Sequence, residues 1–112
     1  MRRRSSKQQA KLDGAKRRRW NYAMRHGTCL RCGYLSSVAP EATDLHHILG
    51  GSYSRPEYTW NYAMLCRDCH RLRHDGGAVN VRVVTEQIIA AKRALREWNA
   101  AAAARYGWRA AP

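Results

Sequence analysis

Four cysteines constrain this 112-residue chain more than any other feature of it. They form two C-x2-C pairs, Cys29 with Cys32 and Cys66 with Cys69, with 33 residues between the pairs. Two residues between thiolates let both sulfurs grip one tetrahedral Zn²⁺ from a tight turn, and two such knuckles close the coordination shell. The closed site is structural, because no position is left for water or substrate. A chain of this length has room for one modest core and gains most from such a staple. The gap is wider than the roughly 15–20 residues of a zinc ribbon, so an insert of its own character lies between the knuckles. Two other uses of the cysteines fit the pattern. An even count suits two disulfides, and CRDCH at 66–70 matches the c-type haem attachment motif. Both suit an oxidising or exported setting. Met1 and the three arginines after it resemble the start of a signal peptide, but 5–19 is polar and supplies no apolar segment. The expected compartment is therefore the cytoplasm, which favours zinc.

Charge narrows the choice of partner. There are 21 Lys and Arg against 8 Asp and Glu, a net charge of +13. Ten of the basic residues lie within the first 25 positions, where Asp13 is the lone acid. Such a footprint suits a polyanion, most simply nucleic acid, because each neutralised phosphate releases counterions. A solubilising or localisation tail is the blander reading of the same run. No stretch has the length and apolarity of a membrane span, and no strong apolar face accompanies the charge.

Along the chain, 1–15 reads as a flexible basic arm and 16–112 as a single domain. The spacing of Trp20 and Met24 predicts a helix over 15–25 whose face packs on the zinc core. A loop is expected over 38–43, a strand over 44–49, a turn-rich connection over 50–56 and a second strand over 62–65. A short helix at 68–74 should close at Asp75-Gly76-Gly77. Val79, Val81 and Val83 alternate with Asn80 and Arg82, which predicts a further extended segment. Thr85 then offers an N-cap for a C-terminal helix over about 85–104, with Ile88, Ala91, Leu95, Trp98 and Ala102 as its buried stripe.

The insert and its downstream edge hold four of the five histidines. His70 and His74 are spaced i and i+4 on the short helix, hence on one face and able to share a metal. His46 and His47 are adjacent on a strand and point to opposite faces. One can join the metal while the other stays free to titrate near neutrality. The pentapeptide WNYAM occurs at 20–24 and again at 60–64, each time ahead of a cysteine pair. Only the second copy has a His-His before it and a CxxCH after it.

The stretch DLHHILGGSYSRPEYTWNYAMLCRDCHRLRH, with CLRC upstream, resembles an HNH endonuclease of the small phage type framed by a four-cysteine zinc site. The likeness covers 29–74 and rests on acidic-x-His-His, Asn, His-x3-His and both knuckles in order. It implies an α+β chain, a ββα-metal (HNH) core flanked by the basic arm and helix and by the C-terminal helix. It makes His47 the general base, His46, His70 and His74 the ligands of a catalytic divalent metal, and Asn61 the side chain that ties the loop holding His47. Asp44 shares the strand face of His46 and could orient that imidazole. Relatives often place an Asp ligand immediately before the base, where this chain has His46. The all-imidazole set that results suits Mn²⁺, Ni²⁺ or Zn²⁺ better than Mg²⁺. Two other positions depart from the family pattern. The usual Asp shortly before the Asn is missing, with Glu57 the nearest acid, and Tyr62 follows Asn61 where an aliphatic is common. The implied activity is hydrolysis of DNA phosphodiester bonds, most simply in a duplex, with phage genome processing or packaging beside a terminase as the implied setting. A non-catalytic zinc module that binds nucleic acid through its arm is the competing class. For Tyr53, Tyr58 and Trp60, core packing is expected before base stacking.

Overall fold

The computed structural model describes residues 5–32, 43–50 and 55–108. Most of the expected loop at 38–43 and of the connection at 50–56, together with Arg2, Arg3, Arg4 and Tyr53, lie outside the described residues.

The chain runs α1 (Ser6–Arg25), β1 (Thr43–His47), a 3-10 turn (Thr59–Asn61), β2 (Tyr62–Cys66), α2 (Arg67–Asp75), α3 (Gly77–Ala94) and α4 (Ala100–Tyr106). β1 and β2 pair antiparallel, with His46 opposite Ala63 and His47 opposite Tyr62. α2 follows β2 directly, so the observed unit is strand, strand, helix, as the α+β reading requires. β2 is buried from Tyr62 to Leu65 because both its faces are covered. Ala63 and Leu65 join Cys29, Ile48, Cys69, Val84 and Ile88 in one cluster, while Tyr62 and Met64 pack with Tyr22 of α1 in another.

The first helix opens earlier than the composition suggests. Ser5 and Gln8 form a reciprocal capping box, each side chain bonded to the other's backbone N–H. Helix therefore occupies 6–15, where an arm was expected. The face of α1 that meets the body carries Ala15 and Tyr22, whereas Trp20 is 66% and Met24 68% exposed. The expected packing of Trp20 and Met24 on the zinc core is corrected accordingly.

Two corrections apply to the C-terminal half. 79–83 is helical, and α3 begins at Gly77, whose φ of +76° a side chain would resist. Gly76 before it has no room for a Cβ, which would lie 2.5 Å from the Leu72 carbonyl oxygen. The alternation of valines has a helical explanation: Val79 and Val83 share the exposed face, while Val84 and Ile88 turn inward. Thr85 caps nothing; its Oγ1 donates to the Val81 carbonyl at 2.7 Å in mid-helix. The expected single helix over 85–104 is broken between Ala94 and Ala100. Arg96 takes a left-handed φ of 60°, and Asn99 caps α4 by accepting from Ala102 N–H. Leu95, expected in the buried stripe, is 55% exposed, and the inward residues are Val84, Ile88, Ile89 and Lys92. The break turns Glu97 back into the body, where its carboxylate meets the Tyr22 hydroxyl, His26 Nε2 and Lys92 Nζ.

Candidate functional site

The four cysteines converge, each offering a sulfur within 4.8 Å of the others. Cys32 and Cys66 sulfurs lie 3.7 Å apart, close to the ~3.8 Å edge of a tetrahedron built on Zn–S bonds of about 2.3 Å. Cys32 N–H points at Cys29 Sγ (3.5 Å) and the Arg31 guanidinium at Cys69 Sγ (3.4 Å), as expected of donors around thiolates. Burial works against ionising Cys29, but backbone N–H groups overcome it and bring the thiol down to about 7. Burial pushes Cys69 up to about 12; the Arg31 guanidinium opposes the rise, and the three neighbouring sulfurs add to it. Four thiolates crowded this closely need a cation among them, and the donor set and spacing fit zinc. Because Cys66 N-caps α2, the same cluster fixes where that helix begins.

The second constellation lies where β1 crosses α2. His46, His70 and His74 each offer a ring nitrogen within 4.8 Å of the others. His70 Nε2 and His74 Nε2 are 3.1 Å apart, near the ~3.4 Å expected of two nitrogens on one tetrahedral ion. His46 is 4% exposed, and its Nε2 is buried with no hydrogen-bond partner. A buried imidazole nitrogen without a partner is costly unless a ligand completes it. Burial, then the neighbouring His70, Arg73, His74 and His47, depress the His46 pKa to about 3, keeping the ring neutral as a ligand must be. Burial and His70 also lower His74. The trio therefore fits a divalent cation.

Asp44 does share the His46 side of β1, yet its Oδ2 reaches His70 Nδ1 at 3.3 Å rather than His46. The expected partner is thus replaced by the next imidazole of the same trio. A carboxylate on Nδ1 leaves Nε2 for a metal.

His47 faces the same cleft of about 360 Å³ as the trio, together with Leu45, Gly50 and Arg55. Its Nε2 lies 2.7 Å from Glu57 Oε1. Glu57 in turn accepts from the Tyr62 hydroxyl (2.7 Å) and from Arg19 Nη1 (3.0 Å), while Arg18 Nε donates to the Glu57 carbonyl (2.8 Å). Burial opposes the carboxylate, but the Tyr62 hydroxyl and the His47 ring prevail and hold Glu57 below the ordinary carboxylate range. Burial and the same hydrogen bond push the Tyr62 phenol up, so it stays a donor. Glu57 and Tyr62, the two departures from the family pattern, are partners of one another.

Asn61 is fully buried. Its Oδ1 accepts from Leu49 N–H (2.8 Å), and its Nδ2 donates to the carbonyls of Leu49 (3.2 Å) and Pro56 (2.8 Å). It clasps the chain two residues after His47 and one residue before Glu57. Arg55, which sequence reasoning passed over, lines the cleft from a left-handed backbone (φ 47°) just ahead of Pro56. That conformation is strained for arginine and is tolerated where surroundings enforce it. The signal for Arg55 was weak: a charged side chain in a turn-rich segment is common.

Among the described residues, no helix is long and apolar enough to cross a membrane. The family model HNH endonuclease matches residues 29–76, the stretch that holds both cysteine pairs and all three imidazoles. No curated protein and no solved structure matches the chain.

Proposed function

Starting from the HNH core at 29–76, we propose that this protein is a metal-dependent endonuclease that hydrolyses phosphodiester bonds in double-stranded DNA. The observation that carries the reading is the partnerless His46 Nε2 beside His70 and His74, in a cleft shared with His47. A divalent ion held by those three imidazoles would act as Lewis acid, neutralising the scissile phosphate and stabilising the leaving 3′-oxygen. His47 takes the proton of the attacking water. Asn61 clasps the chain that follows that base, at Leu49 and Pro56, and Arg55 offers the cleft a guanidinium for a non-bridging phosphate oxygen. Lys7, Lys11, Lys16 and Arg17 on exposed turns of α1 supply phosphate contacts that position the duplex without reading its sequence. The zinc at the cysteines keeps the unit folded. The imidazole donor set favours Mn²⁺, Ni²⁺ or Zn²⁺ as the catalytic ion over Mg²⁺. Resemblance to phage-type nucleases supports a role in genome processing or packaging beside a terminase, in the host cytoplasm.

Cleavage of supercoiled plasmid, with each metal and with EDTA at fixed salt, tests the proposal. Wild type is expected to nick in a metal-dependent way. His47→Ala should lose about 10²–10⁴ in rate while keeping its fold and zinc. Equal rates for the two proteins would assign any cleavage to a contaminant or to a different mechanism, and salt-sensitive binding with no cleavage by wild type would replace the nuclease with a non-catalytic nucleic-acid-binding module.

A further inference from the structure

The environment of His47 carries one step more, which rests on the nuclease reading for its chemistry but not for its structure. Both Glu57 carboxylate oxygens are engaged: Oε2 accepts from the Tyr62 hydroxyl, and Oε1 accepts from Arg19 and lies against the His47 ring. The backbone of Glu57 is gripped as well, by Arg18, and the preceding carbonyl by Asn61. The His47 side chain is 9% exposed, and its ring stands edge-on to Tyr62 at 5.5 Å and 84°. Contacts therefore hold both members of the pair in place.

An ionised carboxylate can only accept hydrogen bonds, and a neutral imidazole carries one N–H and one lone pair. A 2.7 Å contact between Glu57 Oε1 and His47 Nε2 therefore puts the hydrogen on Nε2 and the lone pair on Nδ1. We infer that Glu57 is a positioning residue for His47, fixing its rotation and its Nε2–H tautomer so that Nδ1 is the nitrogen that receives the proton. In the hydrolysis, the water oxygen forms the new bond to phosphorus, the P–O3′ bond breaks, and the water proton passes to Nδ1. The 3′-oxygen leaves with the electron pair and is protonated from solvent, to which His47 returns its own proton. Arg18 and Arg19 tie this pair to α1, so the basic helix is built into the catalytic apparatus instead of trailing from it.

The test reads the tautomer directly. In zinc-loaded protein labelled with ¹⁵N-histidine, two-bond ¹H–¹⁵N correlations distinguish Nε2–H from Nδ1–H, and His47→Gln assigns the resonances. Wild type should show the Nε2–H form at His47. Glu57→Gln, which can turn its amide N–H toward the ring, should shift His47 to a mixture or to Nδ1–H. The same variant should lose about 10²-fold or more in kcat, with KM and zinc content unchanged, as loss of oriented general-base catalysis requires. Glu57→Asp should recover part of both. An Nδ1–H tautomer in wild type overturns the inference, as does a Glu57→Gln protein with wild-type tautomer and kcat. A wild-type protein that cuts nothing, yet whose His47 tautomer follows residue 57, refutes the nuclease reading and supports the pairing.

Discussion

Asn61→Asp exchanges one atom and should weaken the domain well beyond a surface change. The native amide makes three bonds: it accepts from Leu49 N–H and donates to the carbonyls of Leu49 and Pro56. Aspartate keeps the first and loses both donations, leaving two carbonyl oxygens facing a carboxylate in a fully buried site. A buried acceptor left unpaired costs about 1–3 kcal/mol, so the two together cost about 2–6 kcal/mol. The buried carboxylate is driven to bind a proton, raising its pKa above the unfolded value. Once protonated, the substituted side chain has one O–H and restores one of the two donations. Stability of the variant relative to wild type should therefore rise as pH falls through the raised pKa, at about 1.4 kcal/mol per pH unit within that window. The sign follows because the folded variant binds more protons than the unfolded one there. Urea denaturation followed by tryptophan fluorescence, at fixed excess zinc from pH 8 to pH 5.5, measures the gap. A gap under about 1 kcal/mol, or one that ignores pH, refutes the clasp reading.

The remaining perturbations separate fold from chemistry. Stripping zinc with a strong chelator should unfold the protein by far-UV circular dichroism, since structural zinc supplies on the order of 10 kcal/mol; an unchanged spectrum would make the cysteine cluster ornamental. Arg55→Gly should raise stability by about 1 kcal/mol by relieving the left-handed backbone, while weakening plasmid cleavage. Stability and cleavage moving together would contradict the phosphate role of Arg55. Lys92 is fully buried, and its Nζ donates to the carbonyls of Thr59 and Tyr62. Lys92→Met should cost about 2–4 kcal/mol near pH 7 in thermal or urea unfolding. Burial lowers the Lys92 pKa from 10.5 to about 8. Between those values the unfolded chain binds more protons, so wild-type stability gains with rising pH and its lead over Lys92→Met should widen by up to ~3 kcal/mol. A lead that shrinks over that window would show the amine to be solvated.

The parts of the site legible in the sequence are those whose chemistry dictates spacing. A knuckle needs two residues between thiolates, and two imidazoles on one helix face need i and i+4, so Cys29, Cys32, Cys66, Cys69, His70 and His74 stand out along the chain. The two strands and α2 are equally visible, since each is bounded by a cysteine, a histidine pair or a glycine. What stayed hidden depends on long-range contacts. Glu57 meets Arg19 across 38 positions, and Asp44 meets His70 across 26. The valine run at 79–83 satisfies both a strand and a helix pattern, and only the burial of Val84 and Ile88 against β2 decides between them. The break after Ala94 was hidden because 85–104 has no proline or glycine to mark it. The inward pull on Glu97 from Tyr22, His26 and Lys92 rewards that break.

The repeated pentapeptide WNYAM makes the same point within five residues. On α1, Trp20, Asn21 and Met24 face outward and Tyr22 alone is buried. Across the 3-10 turn and the start of β2, Asn61, Tyr62, Ala63 and Met64 are all buried, and Trp60 stacks with Tyr58 and with Tyr106. Helical period exposes most of a lone pentapeptide, whereas a strand covered on both faces hides every residue the copy contributes to it. The copies nevertheless meet: Tyr22 and Tyr62 pack edge to face at 5.5 Å. Lys92 lies 5.2 Å from the Tyr22 ring and bonds the Tyr62 carbonyl, and each phenol donates to a glutamate, Tyr22 to Glu97 and Tyr62 to Glu57. One tyrosine fastens the basic helix to the C-terminal break, and the other fastens the carboxylate that holds His47. Sequence identity between the copies therefore carries no equivalence of role; Asn61 becomes a clasp and Asn21 a surface amide because only the second copy runs from the 3-10 turn into β2.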